Sequence, residues 1–90
     1  MKLYRISQTE NSDYDTYDSA VIAAASAEEA QNTDPANGQP MSTLQYDGKP
    51  LWEYSYNSWA SSPDNVFVEY LGEAADQIEA GVICASFNAG

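Results

Sequence analysis

Ninety residues make a single domain, and a chain of that size buries roughly 60–65% of its unfolded surface, which leaves a thin margin of stability. Apolar residues make up 43%, enough for one small core and too many for a disordered chain. Fourteen carboxylates stand against three cations, Lys2, Arg5 and Lys49, and the net charge of −11 repels nucleic acid and anionic lipid while attracting basic surfaces.

No apolar run approaches the ~20 residues that span a bilayer. The basic start Met1-Lys2-Leu3-Tyr4-Arg5 is not followed by a long apolar region, so the chain reads as a cytoplasmic protein without a signal peptide. A single cysteine, Cys84, excludes an internal disulfide and fits a reducing compartment.

In chain order, Lys2 to Gln8 reads as a first strand with Tyr4 and Ile6 on one face and Leu3 and Arg5 on the other. Thr9 to Asp18 reads as a polar, acidic loop. Ser19 to Ala25 has apolar side chains at successive positions, which predicts a central strand rather than a half-solvated one. A helix competes there because alanine is the best helix former. The helix start lies later, at Ser26-Ala27-Glu28-Glu29, a capping box with two glutamates at the positive end of the helix dipole. Pro35 stops that helix after about two turns, so it must dock on the sheet through Ala27, Ala30 and Thr33.

Asp47-Gly48 is a two-residue hairpin turn between Thr43–Tyr46 and Leu51–Tyr56, with Pro50 weakening the ladder beside it. Ser61 to Asn65 reads as a single capped turn with proline at its first position. Val66–Leu71 and Val82–Phe87 are the best strand candidates, and the ten residues between them suit antiparallel pairing of one with the other. The order β-β-α-(variable hairpin)-β-β predicts an α+β fold: a four-stranded, mainly antiparallel sheet, one short helix on a face, and a variable Trp/Tyr-rich hairpin or loop.

With no histidine, Ser-His and Cys-His pairs and imidazole metal ligation are excluded. No glycine-rich phosphate loop occurs, and three cations make a phosphate clamp hard to assemble. These absences argue against a conventional enzyme, and nothing implies a cofactor or metal. Cys84, mid-strand and without a neighbouring cation in sequence, reads as a buried, inert thiol. Asn11-x-Asp13-x-Asp15-x-x-Asp18 loosely resembles a calcium loop but lacks the glycine at the bend and the closing glutamate. The same carboxylates resemble a row of phosphates: along an extended chain Asp13 and Asp15 lie about 6–7 Å apart. Any acidic strand gives that spacing, and a solvated loop is the plainer reading. Glu69 points outward if Val68 and Tyr70 point in, or pairs with Arg5.

Seven tyrosines and two tryptophans are many for this length. Tyr14, Tyr17, Tyr46, Tyr54, Tyr56, Trp52 and Trp59 fall in or near predicted loops, where aromatic residues anchor protein interfaces; the plainer alternative is that they fill a core poor in Leu and Ile.

Tyr14-Asp15-Thr16-Tyr17-Asp18-Ser19-Ala20-Val21, the block from Ser62-Pro63-Asp64 through Val66-x-Val68-Glu69-Tyr70-Leu71-Gly72-Glu73-Ala74, and Gly81 to Gly90 together resemble a family of small phage and prophage proteins of unknown function. The resemblance covers about half of the chain and leaves the middle dissimilar. What it implies is context: small acidic phage proteins resemble, in size and charge, inhibitors aimed at host defence, anti-CRISPR proteins among them.

These readings lead to an expected non-enzymatic binding protein that occupies a basic, nucleic-acid-handling surface of a host protein, such as a CRISPR complex, without binding nucleic acid or membrane itself. Glu10, Asp13, Asp15 and Asp18 would supply charge, and Tyr14 and Tyr17 the aromatic anchors. One alternative is a small-ligand binder, such as a nucleotide sponge, with an aromatic pocket around Trp52, Tyr54 and Trp59; the charge disfavours an anionic ligand unless Arg5 and Lys49 converge or main-chain amides hold it. Another is an assembly role, in which exposed sheet edges pair into a homodimer.

Overall fold

The computed structural model describes residues 1–12, 15–42, 45, 46, 48–50, 52 and 58–88, with the backbone alone at 45, 46, 49 and 50. Four antiparallel strands form one sheet: β1 (Lys2–Ser7), β2 (Thr16–Ala24), β5 (Phe67–Glu73) and β6 (Gly81–Asn88), in the order β5-β1-β2-β6. A short helix, α1 (Ala27–Gln31), follows β2, and the two-residue strands β3 (Gln45–Tyr46) and β4 (Lys49–Pro50) pair across the turn at Gly48. The α+β class and the four-stranded antiparallel sheet are as the residue pattern predicts.

The pairing differs from expectation in one respect. β5 and β6 are not neighbours; they lie at opposite edges of the sheet, β5 on β1 and β6 on β2. The link from Ala74 to Ala80 crosses three strand spacings, about 14 Å, and seven residues of extended chain reach further than that. The centre goes instead to β1 and β2, whose side chains on one face are buried: Tyr4, Ile6, Ala20, Ile22 and Ala24. Tyr4 lies opposite Ile22 on one side and Tyr70 on the other, and Ile6 opposite Ala20 and Val68. Ala30, Met41, Trp59, Ala60 and Val66 close this core from the helix and the loops. Trp59 is 1% exposed, so one tryptophan does supply the bulk that a Leu-poor core lacks.

β2 begins at Thr16, three residues before the expected Ser19, because Thr16 and Tyr17 are good strand formers and find Asn88 and Phe87 opposite. The acidic loop is correspondingly shorter. Helix α1 keeps its predicted start: Ser26 Oγ accepts from the Glu29 N–H at 3.2 Å, and Glu29 Oε2 accepts from the N–H of Ala25. It ends sooner than Pro35. Asn32 is the C-cap, and Thr33 Oγ1 donates to the Glu29 carbonyl at 2.7 Å, the kind of local bond by which Asn and Thr compete with a helix. Ala30 is buried in the core against the sheet and Thr33 is buried beside it, whereas Ala27 is exposed rather than docked. The 3-10 turn Pro63–Asn65 has proline at its first position, as expected, but Ser62 makes no side-chain cap bond.

Cys84 is exposed, not buried. It lies opposite Val21 on the sheet face away from α1, on a strand with one neighbour among the described residues. That face also carries Phe67 and Leu71, 61% and 47% exposed, together with the cross-strand neighbours Arg5 and Glu69. No helix among the described residues is long and apolar enough to cross a membrane.

Candidate functional site

The residues expected to face a partner have divided roles. Glu10 is held by the chain itself: its carboxylate accepts from the Ser61 backbone N–H at 3.2 Å, from the Ser61 hydroxyl, and from Asn65 Nδ2 at 2.7 Å. The Ser61 hydroxyl, then the Ser61 N–H and the Asn65 amide, hold its carboxyl below the usual carboxylate range. Tyr17 is half-buried, its ring 4.7 Å from that of Phe87, and its backbone N–H donates to the Ser58 carbonyl. It packs the end of the sheet more than it projects from it. Asp15 and Asp18 remain exposed. Asp15 has φ +63, a left-handed conformation that aspartate tolerates better than most residues, and Asp18 is the extra residue of a bulge between Tyr17 and Ser19. Asp13 and Tyr14 lie outside the described residues.

The residues of the expected aromatic pocket are described only in part. Trp59 belongs to the core, Trp52 is half-buried near α1, and Tyr54 lies outside the described residues. Trp52 instead forms one wall of an open groove of about 650 Å³, whose other walls include Glu28 and Glu29 of α1 and Asp64 of the 3-10 turn. None of the described residues that line it is a cation.

Asn32 organises this groove. Its Oδ1 accepts from Trp52 Nε1 at 3.3 Å and from the Ser42 N–H at 2.9 Å, and its Nδ2 donates to Ser42 Oγ at 2.8 Å. Gln31 Nε2 donates to the Pro63 carbonyl at 2.7 Å and fixes the 3-10 turn, with Asp64, beside the helix. Glu28, Glu29 and Asp64 are exposed, so their charges reach a neighbouring molecule largely through water. A concave surface with carboxylates and an indole can take up a positively charged group: the carboxylates accept charge-assisted hydrogen bonds, and an indole face attracts a cation. It is poorly suited to phosphate.

Glu28, Glu29 and Asp64 read from sequence as helix-start and turn residues, and that is also what they are. The signal that they line one groove is faint: between Ile6 and Gly48, and again after Lys49, the chain carries no cation at all. Among the described residues no group of three or more acidic or thiol side chains is arranged to hold a metal ion. No protein-family model matches the chain, and no curated protein or solved structure matches it.

Proposed function

We propose that the chain is an acidic, non-enzymatic binding protein that occupies a basic surface of a partner protein, a surface of the kind that otherwise holds nucleic acid. The observation that carries this reading is the groove between α1 and the 3-10 turn, where Glu28, Glu29 and Asp64 flank Trp52 with no cation among the described lining residues. A lysine or arginine side chain entering there meets carboxylates and an aromatic wall together. The exposed Asp15 and Asp18 add to the same long-range field, which steers a basic partner towards the chain and speeds association. That the partner belongs to host defence, such as a CRISPR complex, rests on the resemblance of the end blocks to phage proteins.

The test begins with a partner captured from host lysate and purified. Association is then followed across a salt series, for the wild type and for E28K and D64K. The expected result is a rate that falls as salt rises, a further loss in both variants, and displacement of the bound chain by an added oligonucleotide. Association that ignores salt and both charge reversals would remove the reading.

A further inference from the structure

Among the described residues β5 and β6 are the two edge strands of the four-stranded sheet, but the edges are not alike. β5 carries Glu69 and Glu73, and its ladder with β1 is broken by a bulge at Leu71, between the pairs Leu3–Gly72 and Tyr4–Tyr70. Charge and bulges on an edge are the ordinary means by which a sheet is kept from adding strands. β6 has less protection. Its eight residues, Gly-Val-Ile-Cys-Ala-Ser-Phe-Asn, include neither charge nor proline. Its ladder with β2 shifts register at Ile83 and again opposite Asp18, but the second inserted residue is on β2, so β6 itself runs from Cys84 to Asn88 without an insertion and with exposed side chains. In a chain of net charge −11, this is a strand along which two copies can meet without setting carboxylates of the strand against each other.

We infer that β6 is a self-association edge, and that a second copy of this chain pairs with it antiparallel about a two-fold axis perpendicular to the sheet near Ser86. In that register Ala85 lies opposite Phe87 of the second copy and Cys84 opposite Asn88, and the two sheets continue as one of eight strands. Such an axis keeps the same face outward on both copies. The open face with Val21 and Cys84 therefore becomes continuous across the junction, and both grooves beside α1 stay on the opposite face.

The net charge sets the sign of the salt dependence. Two copies of like charge repel, and Asp15, joined by its backbone N–H to the Asn88 carbonyl, brings a carboxylate to one end of the strand. Added salt screens this repulsion and strengthens the dimer. Salt has the opposite effect on a basic partner, so the two associations are separable in one series of measurements.

The experiment is sedimentation equilibrium of the full chain in reducing buffer, from micromolar to millimolar concentration, at low and high salt. The wild type and C84A are expected to approach the mass of two chains, more readily at high salt. S86E places like charges directly opposite each other across the axis, and C84E places one beside Asn88 of the second copy; both should remain at the mass of one chain. Both positions are exposed, and thermal unfolding checks that each variant is folded. L71E, on the other edge, should associate as the wild type does. A wild type that stays monomeric to millimolar concentration, a dimer that weakens with salt, or a dimer broken by L71E and kept by S86E and C84E would each overturn the assignment.

Discussion

Glu10 and Ser61 are 51 positions apart in sequence, yet both carboxylate oxygens of Glu10 accept from the Ser61 hydroxyl, and one also accepts from its backbone N–H. The contact ties the loop between β1 and β2 to the segment that carries Trp59 into the core. Because the carboxyl is held below its ordinary range, it stabilises the fold when ionised. That stabilisation is fully present above the ordinary carboxylate value and is lost as pH falls through the lowered one. Glu10→Gln should cost roughly 1 kcal/mol at neutral pH, a modest figure because the site is open to water and screened. Thermal midpoints of both proteins, measured from neutral to strongly acid pH, should converge at the acid end.

Gly38 and Gly48 make a matched pair. Both have positive φ, +77 and +79, but a Cβ at Gly38 would sit 3.3 Å from the backbone nitrogen of Val82, whereas one at Gly48 meets nothing within 4 Å. Gly48→Ala should therefore show the backbone penalty alone, about 1 kcal/mol. Gly38→Ala should cost more, because the loop must also move away from the start of β6. Urea unfolding of the two variants gives the comparison, and equal costs would show that the loop yields freely.

The buried face of β2 should be unforgiving. Ile22 is 1% exposed, and Ile22→Ala should cost about 2–5 kcal/mol, much of what a domain of this size possesses. Ile22→Val is the graded control, at about 1 kcal/mol. Trp59 behaves differently: its indole N–H is buried without a hydrogen-bond partner among the described residues. Trp59→Phe should consequently lose less than its change in volume suggests, since the replacement removes an unsatisfied donor along with the ring. Urea titration measures all three.

Asn32→Ala should loosen the groove while sparing the sheet. It removes the acceptor for Trp52 Nε1 and for the Ser42 N–H at a partly exposed position, which predicts a cost of about 1 kcal/mol. In a Trp59→Phe background, the fluorescence of Trp52 should become more accessible to acrylamide, and unchanged quenching would place the rigidity of that wall elsewhere.

The features legible in the sequence are the local ones. The Ser26–Glu29 cap, the turn at Gly48 and the proline that opens the 3-10 turn each depend on a few adjacent residues, and each is where the sequence puts it. The central place of β2 was legible too, from apolar side chains at successive positions. The sheet order was not, because β5 and β6 carry the same strand chemistry whether they pair with each other or flank β1 and β2. The sheet order also decides the exposure of Cys84: free cysteine is usually buried, but on the open face of an edge strand it meets solvent. The Glu10–Ser61 tie and the groove around Asn32 join distant residues, and no short-range pattern announces them.

The position of β1 has a consequence for synthesis. β1 lies between two strands, and Ser7 faces Ser19 on one side and Phe67 on the other. During translation the first neighbour follows within a few residues, while the second emerges only after the helix and the loops that precede it. In the interval β1 and β2 form a lone hairpin with one apolar side uncovered, too slight to persist in water. The nascent polypeptide must therefore stay largely unstructured until β5 arrives, and any chaperone that attends it should engage the segment carrying Tyr4, Ile6 and Ile22.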